Sequence, residues 1–211
     1  ATAPVVPEIP LRLATQITPM WEATEAELQR QGLPPPFWAF AWPGGQALAR
    51  LLLDHPELAR GRRILDFAAG CGLASIAALK AGAARVEASE IDAFALAATA
   101  EAAALNGLAD DPRLILSKKD LVGVSNNPAT GWEAVMVGDV CYEQGAAHRI
   151  ADWLRALAAD GAIVLLADPG RKYQPTGNME KIASYDIPTS LELETATRQT
   201  TTVWRMFDAS R

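Results

Sequence analysis

The chain holds 211 residues with 19 basic and 25 acidic side chains, a formal net charge of −6. Half of the residues are apolar and 21% are charged, which sustains a buried core and excludes wholesale disorder. Lys and Arg are nowhere concentrated, the densest runs being Arg60–Arg63 and Ser117–Asp120, so the charge argues against a nucleic-acid partner.

No apolar run approaches the roughly 20 residues that span a bilayer. The opening Ala1–Pro10 lacks the charged start and apolar core of a signal peptide. Two cysteines, Cys71 and Cys141, define no disulfide framework, and His55 and His148 stand too far apart to suggest a metal site. A reducing, cytosol-like compartment is expected: the cytoplasm of a bacterial cell, or the mitochondrial matrix for a processed eukaryotic chain.

In chain order, Thr18-Pro19 reads as an N-cap followed by proline at the first helical position, with Gly32 closing the helix near Gln31. Pro34–Pro36 break the chain before an aromatic cluster, Phe37, Trp38, Phe40 and Trp42. A helix is expected over Gly45–Asp54. Regular alternation follows: a strand at Ile64–Ala68, a helix at Leu73–Ala81, and a strand at Arg85–Ser89. Asp92 caps an Ala-rich helix that finishes at Asn106-Gly107. Further strands are expected at Arg113–Ser117, Ala134–Val137 and Ala162–Ala167, with a helix from about Gln144 to Ala158 before the last of these. The β-branched tail, Ser184–Thr189 and Leu193–Phe207, reads as an antiparallel edge hairpin. The expected fold class is α/β: a mostly parallel, Rossmann-like sheet flanked by helices on both faces.

The first strand runs into Asp66-Phe67-Ala68-Ala69-Gly70-Cys71-Gly72, which opens a helix. Glycines there admit a ligand close to the backbone, and the helix N-terminus offers free N–H groups. Glu90 lies 20 residues beyond Gly70, at the end of the second strand, where a carboxylate can accept both hydroxyls of a ribose. A nucleoside-containing ligand at the carboxyl edge of the sheet is therefore expected. A dinucleotide fingerprint requires a third glycine where Ser75 stands, and an acid at Asp66 is unusual for nicotinamide enzymes.

Asp66-x-x-x-Gly70-x-Gly72 resembles motif I of class I (seven-strand) S-adenosylmethionine-dependent methyltransferases, with Glu90 in their ribose-binding position. Ala68 departs from the glycine that many members carry; alanine keeps the approach open provided that its φ is negative. In that family the acid after the third strand faces the adenine amino group and the next apolar residue lies against the ring, places that Asp120 and Leu121 match. Asp139-Val140-Cys141-Tyr142 resembles the Asp-x-x-Tyr signature of protein-lysine methyltransferases of methyltransferase family 16. Pro36-Phe37-Trp38-Ala39-Phe40-Ala41-Trp42-Pro43-Gly44-Gly45 resembles the Trp-Pro-Gly-Gly segment of its electron-transfer-flavoprotein β-subunit branch and the bacterial relatives of that branch. The likeness spans roughly Pro34 to Arg171, including Asp168-Pro169-Gly170-Arg171.

The resemblance implies transfer of methyl from S-adenosylmethionine to lysine ε-amines of a protein, with S-adenosylhomocysteine as product and the flavoprotein β subunit as substrate. Asp139 and Tyr142 would handle the lysine. Trp42, Asp66, Ala68, Gly70, Gly72, Glu90, Asp120 and Leu121 would hold the cofactor. No metal is called for, because a sulfonium is already an activated methyl donor, and neither a membrane nor a nucleic acid is implied. Cys71 and Cys141 lack a neighbouring His to act as base and read as small apolar fillers. The expected organisation is one methyltransferase domain over residues 1–211, with residues 1–60 as a helical and aromatic extension packing on the cofactor edge. A methyltransferase of another protein, such as a ribosomal subunit, or of a small amine is the nearest alternative, and a non-catalytic nucleotide-binding partner protein the next.

Overall fold

Short apolar runs bounded by turn residues become the strands of a seven-stranded sheet in the computed structural model, which describes residues 1–13, 30, 35–127, 131–189 and 196–208. A small hairpin, β1 (Thr2–Ala3) and β2 (Val6–Pro10), comes first. Helix α1 (Pro43–Asp54) leads into β3 (Arg63–Phe67), α2 (Leu73–Lys80), β4 (Arg85–Ser89), α3 (Ala93–Leu105) and β5 (Leu114–Ser117). The second half runs β6 (Ala134–Gly138), α4 (Gln144–Ala159), β7 (Ile163–Asp168), β8 (Met179–Pro188) and β9 (Arg198–Met206).

The strand order is β5-β4-β3-β6-β7-β9-β8, parallel from β5 to β7, with β9 antiparallel to both β7 and β8. The chain winds outward from β3 to β5 and then returns to β6. Strand order therefore reverses between β3 and β6, and such a reversal opens a crevice at the carboxyl ends of the strands.

Helices cover both faces, so the central strands read as continuous buried runs: Ala134–Val137 and Val164–Asp168 are all buried. On one face Leu48, Leu51, Ile76 and Leu79 pack with Val6 and Ile9 of the hairpin. On the other, Trp153, Leu154 and Leu157 of α4 pack on Val135, Val137 and Trp132. Full burial of each such aliphatic side chain contributes roughly 1.5–3 kcal/mol. Asp92 caps α3 by accepting the Phe94 N–H at 2.8 Å. Glu143 caps α4 by accepting the N–H groups of Gly145 and Ala146 at 2.8 and 2.9 Å.

Several expected boundaries move. Helix α1 starts at Pro43, two residues before Gly45, because Trp42 serves as N-cap and proline suits the first turn. Strand β8 starts at Met179 rather than Ser184, because a register shift between Lys181 and Ala183 hides its alternation. The N-terminal extension opens as a hairpin whose Ala3, Val6, Ile9 and Leu11 are buried in the core with α1 and α2, away from the crevice; its prolines mask the strand pattern. Apart from Arg30, the helix expected from Thr18 to Gln31 lies outside the described residues, as do the first residues of the tail strand, Leu193–Thr195. Among the described residues no helix is long and apolar enough to cross a membrane.

Candidate active site

Strand β3 ends at Phe67, and the chain must turn sharply to enter α2. It does so through Ala68 at φ 55°, Gly70 at φ 56° and Gly72 at φ 76°. The negative φ assumed for Ala68 is not adopted. The turn forces this alanine into the left-handed region, which explains why glycine is usual there. Gly72 is held to glycine by packing as well as by φ, since a Cβ would lie 2.7 Å from Thr99 Cγ2. It joins α2 to α3 and does not border the crevice.

Gly70 does border it. Its N–H donates to Glu90 Oε1 at 3.1 Å, and its carbonyl accepts from the Thr99 hydroxyl at 3.2 Å. Burial raises the Glu90 carboxyl above its ordinary range, with the Gly70 N–H bond opposing. The two lie on the wall of a cavity of about 670 Å³, within the range of small-molecule sites. Asp66 stands behind this loop. Its Oδ2 accepts from the Ser75 hydroxyl at 2.6 Å, beside a second cavity of about 50 Å³. Burial pushes its carboxyl up to about 7, Ser75 opposes this, and the charge of Glu90 adds to the rise. Asp66 thus braces the turn from beneath rather than facing the large cavity.

The loop after β5 divides its expected pair. Asp120 lines the cavity and accepts the Val122 N–H at 3.1 Å. Leu121 turns inward, 4% exposed in the core with Trp132, and Val122 takes the cavity wall instead. A bond from residue 122 back to the Asp120 side chain makes this a tight turn, and such a turn sends adjacent side chains to opposite sides.

Asp139, just past β6, also lines the cavity, at φ 57°. A non-glycine residue there is strained, and such strain concentrates at functional sites. Its Oδ2 accepts the Gly44 N–H at 2.5 Å and its Oδ1 the Arg171 Nη2 at 3.1 Å. Burial pushes the Asp139 carboxyl up to about 6, against the pull of the Arg171 charge. Gly44 has no room for a side chain, since a Cβ would lie 2.5 Å from Asp139 Oδ2 and 2.7 Å from the Ala167 carbonyl. Tyr142, 60% exposed, stands at the cavity rim with its ring 5.8 Å from that of Phe37. Trp42 continues this wall. Its indole donates to the Phe37 carbonyl at 2.6 Å, and the Arg171 guanidinium lies 5.9 Å from its ring centroid.

The crevice therefore gathers Trp42, Ala68, Gly70, Glu90, Asp120, Asp139 and Tyr142, and leaves Asp66, Gly72 and Leu121 in its foundations. Phe37, Trp38, Val122 and Arg171 also line it, and sequence reasoning gave them no role at the site. For Arg171 a signal existed: a cation three residues after an acid that ends a central strand. Both thiols are buried, and burial pushes Cys71 up to about 11 and raises Cys141 further, so neither is poised as a nucleophile. Among the described residues no cluster of His, Cys, Asp or Glu could hold a metal ion.

Comparisons with known proteins give the fold and the family. A family model for ribosomal protein L11 methyltransferase (PrmA) matches residues 47–132, the segment that carries the β3–α2 turn and Glu90. A ribosomal protein L11 methylase from Lactobacillus delbrueckii subsp. bulgaricus shares the fold at a TM-score of 0.50, with 19% identity over 78% of each chain. The electron transfer flavoprotein beta subunit lysine methyltransferase of Xenopus laevis is 37% identical over 206 residues, covering 95% of this chain and 80% of its own. The enzyme of the same name from Homo sapiens is 35% identical over 208 residues, covering 95% and 75%. At that identity and coverage, the chain belongs to the electron transfer flavoprotein beta subunit lysine methyltransferase family.

Proposed function

We propose that this protein transfers methyl groups from S-adenosylmethionine to lysine ε-amines of the electron-transfer flavoprotein β subunit. One observation carries the reading: a single cavity is lined both by a nucleoside-type pair, Gly70 with Glu90, and by a charged and aromatic group, Asp139 with Trp42 and Tyr142.

The residues present fit the cofactor. Glu90 lies on the cavity wall with its carboxylate anchored by Gly70, and suits the two hydroxyls of a ribose. Asp120 suits an exocyclic amine and Val122 the face of a base. Bound there, S-adenosylmethionine supplies a methyl group on an electron-poor sulfonium. The chain's own residues then prepare the acceptor. Free lysine is an ammonium with a pKa near 10.4 and must shed a proton before its nitrogen lone pair can attack. The aromatic wall of Phe37, Trp42 and Tyr142 takes the side chain out of water, which favours the neutral amine. Asp139 accepts an N–H bond from it and so aims the lone pair. Positioning of this kind supplies several kcal/mol of barrier lowering.

The whole chain acts as one methyltransferase domain whose partner is a protein rather than a nucleic acid or a membrane. Its two buried thiols suit a reducing compartment such as the cytoplasm. Mass spectrometry of the β subunit after incubation with enzyme and S-adenosylmethionine tests the proposal, which expects methyl-sized mass gains on lysine. Label that enters only low-molecular-weight amines would overturn it.

A further inference from the structure

The Asp139 carboxylate does not stand alone at the cavity wall. Asp168, at the end of β7, is buried, and its Oδ1 accepts the N–H groups of Gly170 and Arg171 at 2.8 and 2.6 Å. That double bond to the backbone closes the 168–171 turn and fixes where the Arg171 side chain departs. The guanidinium then reaches Asp139 Oδ1 at 3.1 Å while lying over Trp42, with both partners of the ion pair largely buried. On the other side, the Gly44 N–H at the start of α1 holds Oδ2. Two elements far apart in sequence thus clamp one carboxylate whose own backbone is strained.

We infer that Arg171 is a positioning residue for methyl transfer, holding the Asp139 carboxylate charged and in one orientation so that its remaining acceptor sites face the incoming lysine amine. The inference rests on the proposed lysine methylation, and it deepens that reading by placing Asp139 in a clamp. A buried carboxylate without a counter-charge takes up a proton, and a protonated Asp139 neither attracts an ammonium nor accepts its N–H. The charged and titratable groups around Asp139 are Arg171, Asp168 and the Cys141 thiol, and of these Arg171 favours the carboxylate.

The test uses Arg171→Gln and Arg171→Lys in the full chain. Carboxyl carbon-13 titration, with the Asp139 signal identified by its absence in Asp139→Asn, needs no methyl acceptor. In Arg171→Gln the Asp139 midpoint is expected to rise by about one pH unit or more. The kcat for the flavoprotein β subunit is expected to fall on the order of a hundredfold, with KM for S-adenosylmethionine held. Arg171→Lys keeps the charge and restores the midpoint and part of kcat. An unmoved midpoint in Arg171→Gln overturns the inference, as does a Lys variant no better than the Gln variant, because simple packing on Trp42 gives that result. A wild-type enzyme that leaves the β subunit unmodified removes the function proposal alone, since the titration still reads the clamp.

Discussion

At the level of single residues, the β3–α2 turn shows how a sequence departure becomes an energetic one. Ala68 carries a Cβ in the left-handed region, where an L-residue is disfavoured by roughly 1–2 kcal/mol. Glycine removes that strain but widens the unfolded ensemble, which costs about 0.4–1 kcal/mol. Ala68→Gly is therefore expected to leave stability level or raise it by up to about 1 kcal/mol, against the usual destabilisation of an Ala→Gly change. Urea unfolding checks this, and a loss of a full kcal/mol would show that the loop relaxes. The same scale explains which site residues could be read from sequence. Glycines, the acid at Glu90 and the Asp139-x-x-Tyr142 spacing are local patterns and could be recognised. The inward turn of Leu121 and the outward turn of Val122 follow from a local bond to the Asp120 side chain, and the meeting of Arg171 with Asp139 from tertiary packing, neither of which spacing encodes.

Among the elements, caps and register decide how firmly the site is presented. Glu143 supplies the cap of α4 one residue after Tyr142, and its bonds to Gly145 and Ala146 hold the carboxylate below its ordinary range. Replacing it with Ala leaves those N–H groups without their acceptor and is expected to lower Tm. Because the cap fixes the turn that carries Tyr142, KM for the protein substrate is expected to rise more than kcat falls. Equal effects on both would place Tyr142 outside the lysine channel. The parallel strands and their helices were legible because each apolar run is bounded by Gly, Asp or Pro. The β1–β2 hairpin and the early start of β8 were not: proline breaks the alternation in one, and a register shift does so in the other.

For the whole molecule, the topology concentrates buried carboxylates at one edge of the sheet, and this gives stability a pH dependence. Asp66 is pushed up to about 7 and Asp139 to about 6, both by burial, against unfolded values near 3.9. Their folded pKa values lie above their unfolded ones, so the folded chain binds more protons than the unfolded chain in that window. The stability they contribute is present at low pH and is lost as pH rises through the folded values. Exposed carboxylates whose pKa is lowered, such as Glu133, act in the opposite sense, but only below their unfolded pKa and weakly through solvent. The cofactor-free protein is therefore expected to melt lower at about pH 7.5 than at about pH 5. Asp66 is the deeper of the two and does not face the large cavity, so it can be changed without touching a lysine contact. Asp66→Asn should keep the bond from Ser75, raise Tm at the higher pH and narrow the difference between the two. A difference as wide as in the wild type would assign the dependence to Asp139 and Glu90, the carboxylates on the cavity walls whose pKa burial raises, and make it a property of the reacting site itself.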